Sequence, residues 1–170
     1  ARKWILIGLY IGQRVSDLLA LKPSQLRFIE NGVYIDINQQ KTDKYVTVGV
    51  VDKEVIQILK QRFPYAISAQ LFNRQIKKIC QIARINEMVS GYKLCIKTKR
   101  KRLGTHPKYS LISSHDLRRS FATNYFGKIE TPILMQITGH SKESTFLSYI
   151  GSQVNKDTYA DAFMKVAATL

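Results

Sequence analysis

The sequence predicts a mixed, mainly α-helical fold with small antiparallel β-hairpins. Two patterns carry this: apolar residues recur at three-four spacing along most of the chain, and stretches 33–37 (VYIDI) and 45–50 (YVTVGV) alternate and are rich in β-branched side chains. Length adds a bound. With 170 residues, 45% of them hydrophobic, the chain can bury one sizeable core and is too short for two ordinary domains, so 1–170 reads as one domain.

In chain order, Trp4, Ile5, Leu6, Leu9 and Tyr10 share one helical face, and Gly12 breaks the run. Ser16 is placed to cap a second short helix through Leu21, which Pro23 ends. The two alternating stretches form a hairpin whose polar tip holds Asn38, Lys41, Thr42, Asp43 and Lys44. Asp52 caps a helix with Val55, Ile58 and Leu59 inward, closed by Pro64. A longer helix follows Ser68, its stripe being Phe72, Ile76, Ile79, Cys80 and Ala83. No acidic residue occurs from Met88 to His115, where Lys93, Lys97, Lys99, Arg100, Lys101, Arg102 and Lys108 crowd together. The β-like pieces GYKLCI and KYSLI flank this run and predict a hairpin or loop held out from the body. Three compact helices follow: one from Ser114 to near Gly127, one capped by Thr131 with Pro132 in its first turn, and one after Gly139. An amphipathic helix with Tyr159, Phe163 and Val166 ends the chain.

Lys and Arg total 27 against 12 Asp and Glu, a net charge of +15 that calls for a polyanionic partner. The two cysteines, Cys80 and Cys95, lack the spacing of a disulfide framework or zinc site, which fits a reducing cytosol. The longest apolar stretch, 4–11, is far below the roughly 20 residues of a membrane span, so a soluble protein is expected. The chain opens on Ala1 directly into a helical pattern, which reads as a fragment of something longer.

His115 and Arg118 are three apart on a helix and converge on one ligand, while Arg119 is expected to point elsewhere. A guanidinium matches phosphate with a planar fork of donors, and an imidazole exchanges a proton near neutral pH. In TGHSKESTFLSYI, Gly139 suits a left-handed helix end, His140 stands at the corner, and Tyr149 follows about two and a half turns along the next helix. Tyr149 so placed either meets a phosphate or simply packs. Residues 131–150 also pass for a non-enzymatic helix-turn-helix DNA-binding module.

These residues resemble the catalytic domain of the tyrosine recombinases, or phage-type integrases. IGQRVSDLLAL is similar to the family's first arginine box, matched by Arg14, and QQKTDKYVTVGV to its lysine hairpin, matched by Lys41. HDLRRSFAT is similar to the second box, with His115 and Arg118, and TGHSKESTFLSYI to the third, with His140 and the nucleophile Tyr149. Gln13 stands where Leu or Met is common, Gly49 where Pro often ends the hairpin, and the basic run before His115 is longer than the minimal pattern.

The resemblance implies the tyrosine recombinase catalytic-domain fold. It implies site-specific cutting and rejoining of double-stranded DNA through a 3′-phosphotyrosine, without metal, ATP or other cofactor, small-molecule substrate or membrane. Arg14 and Arg118 would clamp the phosphate, His115 act as base, Lys41 as acid and His140 as hydrogen-bond donor. On charge alone, and not from the resemblance, Lys97, Lys99, Arg100, Lys101 and Arg102 are expected to follow the DNA backbone. The resemblance further implies a missing N-terminal DNA-binding domain, a homo-tetramer of the full-length protein on DNA that exchanges 155–168, and a bacterial cytoplasmic location at the nucleoid. Away from DNA, Tyr149 would be free to stand apart from the other five residues. A type IB topoisomerase, with the same chemistry but no partner exchange, is the third alternative.

Overall fold

A computed structural model describes residues 1–95, 98–151 and 156–168. Helix α1 (Arg2–Ile11) buries Trp4, Ile7 and Ile11 and stops at Gly12, whose φ of 63° is left-handed. A Cβ there would lie 2.3 Å from the Phe121 ring, so glycine is required both by the turn and by the close approach. Helix α2 (Val15–Leu19) starts two residues after that turn. Its flanking residue is Arg14, in extended conformation, so Ser16 is not the cap: it lies inside the first turn. The helix ends at Leu19, and Pro23 opens a 3₁₀ turn (Pro23–Gln25) instead of closing a helix, as its fixed φ allows.

The predicted hairpin is β2 (Gly32–Gln39) with β3 (Lys44–Val50), and β1 (Leu26–Ile29) adds an antiparallel edge in the order β1-β2-β3. β1 escapes a periodicity reading because it is four residues long and none of them is fully buried. The register sets Val33 opposite Val50, Ile35 opposite Val48 and Ile37 opposite Val46, and all six side chains face the core. Helix α3 (Lys53–Gln61) is capped by Asp52, which accepts from the Val55 amide at 3.0 Å. Ser68 does the same for α4 (Ala69–Ile82), whose Phe72 and Ile76 are fully buried; Ala83, assigned to that stripe, is exposed at the helix end.

The basic run forms the end of a second hairpin, β4 (Met88–Leu94) with β5 (Lys101–Pro107). The piece KYSLI is not a strand: Lys108–Leu111 is a helical turn, α5, started by Pro107 and tied by the Lys108 amide to the Glu87 carbonyl at 2.8 Å. Helix α6 (Ser114–Tyr125) follows, with Asp116 accepting from the Ser113 amide and hydroxyl at 2.8 and 3.0 Å. Then come α7 (Thr131–Thr138), flanked by Glu130 where Thr131 was expected to cap, α8 (Glu143–Ile150) and α9 (Lys156–Ala167). Lys97 and the side chains of Tyr159 and Val166 lie outside the described residues.

Two apolar clusters organise the chain. The larger unites α1, the three-stranded sheet, α3 and α4; the smaller gathers Phe121, Ala122, Leu134, Phe146 and Ile150 from α6, α7 and α8. Helix α6 belongs to both, giving Leu117 to the first and Phe121 to the second. Residues on its remaining face therefore sit at the seam, where the turns after α1, after β2 and after α7 meet. Among the described residues, no helix is long and apolar enough to cross a membrane.

Candidate active site

One open cleft of about 520 Å³ lies at this seam, lined by Gln13, Arg14, Val15, Ser16, Lys41, Ser114, His115, Arg118, His140 and Tyr149. All six residues singled out for catalysis thus share one cavity. Tyr149 stands with the other five, not apart from them. Lys99, Arg100, Lys101 and Arg102 are exposed on the β4–β5 hairpin and do not line the cleft.

Arg118 is 2% exposed and links two of the converging turns. Its Nη1 donates to the Gly12 carbonyl at 3.3 Å and its Nη2 donates to the Thr138 carbonyl. Burial and the neighbouring Arg14 hold its pKa down at about 10, so it remains a cation at neutral pH. The Arg14 Nη1 is buried and has no hydrogen-bond partner among the described residues. Two neighbouring guanidiniums, one with an unused buried donor, make a site that an oxyanion would complete.

Tyr149 donates its hydroxyl proton to the His115 carbonyl at 3.2 Å. Its ring meets the His115 ring edge-on at 4.9 Å and tilts against His140 at 5.1 Å. The guanidinium of Arg119 lies 5.4 Å from the Tyr149 ring centre, which corrects the expectation that Arg119 points elsewhere. His115 and Arg119 are four apart, so one helical face presents both to Tyr149; that spacing was the available signal. Burial raises the Tyr149 pKa against the lowering pull of Arg118 and Arg119, so the residue is a neutral phenol at pH 7. Burial and the same two arginines lower the pKa of His115, leaving it neutral and able to accept a proton.

A buried amide network, unseen from the sequence, holds the turns together. Gln39 Nε2 donates to Gln13 Oε1 at 2.8 Å and to the Ile137 carbonyl at 2.9 Å. Gln13 Nε2 donates to the Ile11 and Ile137 carbonyls at 3.0 and 2.9 Å. Thr42 closes the set by donating to Gln39 Oε1 at 2.8 Å. Arg14 adjoins Gln13, Lys41 lies between Gln39 and Thr42, and His140 is three residues past Ile137, so one network braces the segments of three cleft residues. Asp17 adds a brace by accepting from the Gln40 amide at 3.0 Å. Gln39→Met keeps the length of the side chain and leaves Gln13 Oε1 and Thr42 unpaired. It is expected to lower the unfolding free energy by about 1–3 kcal/mol in urea titration.

His140 is held well below its usual range, at about 4, by burial first and then by Arg118 and Arg14. Between pH about 4 and the ordinary histidine value of roughly 6.5, the unfolded chain binds a proton there that the folded chain refuses. Stability should therefore rise with pH through that window, be full above it, and be lost as pH falls; His115 acts in the same direction. Thermal melts from pH 4 to 7 check this, and His140→Gln should flatten the rise.

Arginines, histidines, a lysine and a tyrosine surround an open cleft on a strongly basic scaffold, a set of donors whose chemistry suits an oxyanion. The family model described as "Phage integrase family" matches residues 1–156, and the chain belongs to that family. Comparison with curated protein sequences finds no match. Among solved structures, the XerH site-specific recombinase bound to its difH substrate superposes with TM-score 0.64 at 19% identity, over 95% of this chain and 45% of that one. The Tn1549 transposon integrase in complex with transposon right end DNA gives 0.65 at 17% identity, over 97% and 58%. A lambda integrase dimer bound to a COC′ core site gives 0.62 at 17%, over 91% and 53%. The fold is that of the tyrosine recombinase catalytic domain, and the chain spans about half the length of these solved chains.

Proposed function

We propose that this chain is the catalytic domain of a site-specific DNA recombinase that cuts and rejoins double-stranded DNA through a 3′-phosphotyrosine. The observation that carries the reading is the convergence of Arg14, Lys41, His115, Arg118, His140 and Tyr149 on one cleft, with a buried Arg14 donor left unused. Tyr149 Oη attacks the phosphorus of a DNA phosphodiester, the P–O5′ bond breaks, and the 5′-hydroxyl leaves. The phenol proton passes to His115, and Lys41 gives a proton to the departing O5′. Arg14 and Arg118 grip the two non-bridging oxygens, where charge grows in the transition state. Exchanging one phosphoester for another conserves the bond, so rejoining needs no energy source.

The charge of +15 fits a duplex partner, and the exposed Lys99, Arg100, Lys101 and Arg102 suit contacts to its backbone. A homo-tetramer on two DNA sites belongs to the same proposal. A helix-turn-helix without chemistry is disfavoured because His140, in the turn, and Tyr149, packed on the smaller cluster, also line the cleft beside Arg14, Lys41, His115 and Arg118. The test is covalent trapping. The protein, with any flanking domain it carries, is incubated with a nicked duplex built from the DNA junctions of its own element. A detergent-stable protein–DNA adduct is expected, and its absence would overturn the proposal.

A further inference from the structure

Thr138, which the proposed chemistry does not use, is fully buried at the end of α7 and touches two cleft residues through different atoms. Its carbonyl accepts from Arg118 Nη2. Its hydroxyl oxygen lies 2.6 Å from the Leu134 carbonyl and 2.8 Å from His140 Nδ1. Two oxygens at 2.6 Å need a proton between them, and a carbonyl has none, so the single hydroxyl proton of Thr138 is committed to Leu134. The contact to His140 must then be filled from the other side, by a proton on Nδ1. A neutral imidazole carrying its proton on Nδ1 has a bare lone pair on Nε2.

We propose that Thr138 is a positioning residue acting through His140: it holds the imidazole in the Nδ1–H form, so that Nε2 accepts protons, and an oxyanion held by Arg14 and Arg118 brings one proton onto that ring. This rests, for its oxyanion half, on the function proposed above. A lone pair facing a phosphate oxygen repels it, whereas an imidazolium donates to it. His140 becomes the hydrogen-bond donor that the family resemblance implies only after it takes up a proton from solvent. The charges around it explain why the empty site refuses that proton. Arg118 and His115 from α6, Arg14 from the turn before α2 and Lys44 from β3 all act on it with positive charge or its potential. Tyr149 covers one ring face, and Glu143 lines the neighbouring cleft with His140. A bound anion cancels part of this field.

Two-bond ¹H–¹⁵N correlation spectra of the chain at pH 7 read the tautomer directly. Wild type and Thr138→Ser should show His140 with Nδ1 protonated and Nε2 bare, and Thr138→Val should lose that preference. An Nε2–H form in wild type, or no change in Thr138→Val, would overturn the proposal. Should Thr138→Val not fold, the wild-type spectrum still decides. Sulfate, which does not itself titrate in this range, stands in for the phosphodiester. Its affinity should fall by up to tenfold per pH unit above the free pKa of His140, and Thr138→Val should flatten that dependence. A flat wild-type profile would overturn the oxyanion half. The tautomer is read without DNA, so failure of the adduct test and failure of this one are separate results.

Discussion

Tyr149→Phe is expected to abolish the covalent protein–DNA adduct completely while DNA binding stays within about twofold. The substitution removes one atom, and that atom is the nucleophile of the proposed reaction. What remains is the packing: the ring still meets His115 at 4.9 Å and His140 at 5.1 Å, and Arg119 still lies over its face at 5.4 Å. The hydroxyl donates to the His115 carbonyl at 3.2 Å, where it is solvent-accessible, and also interacts with the Arg118 guanidinium, so stability should change by no more than about 1–2 kcal/mol. An adduct in the variant would mean that another hydroxyl attacks, and eight further tyrosines are present to be tested. Loss of binding together with the adduct would instead point to a scaffold role. Gel separation under denaturing conditions and fluorescence anisotropy on the same labelled duplex distinguish the outcomes.

What sequence reasoning could reach follows from which interactions are local. Caps, turns and strand alternation depend on residues a few positions apart, so the helix starts at Asp52 and Ser68, the turns at Gly12 and Gly139 and the β2–β3 hairpin are legible in the sequence. Helical spacing singles out His115 with Arg118 and His140 with Tyr149, whereas Arg14 and Lys41 rest on the family resemblance, because no spacing rule brings Arg14 to Arg118 across 104 positions. The misses have particular causes. β1 is a short edge strand, and α5 is set by Pro107 and by the fit of Leu111 over Gly91, where a Cβ would lie 2.5 Å from a leucine methyl. Gln13 registered only as a departure from the family pattern. Its role needs Gln39 and Ile137, 26 and 124 residues away, and a polar side chain that is 2% exposed cannot be told from a surface one by type alone. Arg119 was misplaced because its partner, Tyr149, lies on another helix.

Arg14→Ala should separate chemistry from stability more sharply than any other change in the cleft. In the empty site Arg14 stands beside Arg118, and each proton-binding group around it feels an uncancelled charge: Arg14 lowers the pKa of Arg118, His115 and His140 alike. Its Nη1 is buried without a partner among the described residues, so deletion of the side chain costs no hydrogen bond at that atom and relieves repulsion. The variant is therefore expected to unfold at the same or a higher temperature than wild type. The pKa of His140 should move up from about 4 in an NMR titration. Cleavage, in contrast, should fall on the order of 10³-fold, since half of the clamp on the non-bridging oxygens is gone at the moment their charge grows. Arg14→Lys keeps the charge and loses the planar fork, so it should preserve the depressed His140 pKa and recover only a small part of the rate. Arg118→Ala is the contrasting case: its guanidinium also ties Gly12 to Thr138, so rate and stability should fall together. A loss of stability in Arg14→Ala equal to that in Arg118→Ala would show that Arg14 is a structural residue and that the anion is held elsewhere.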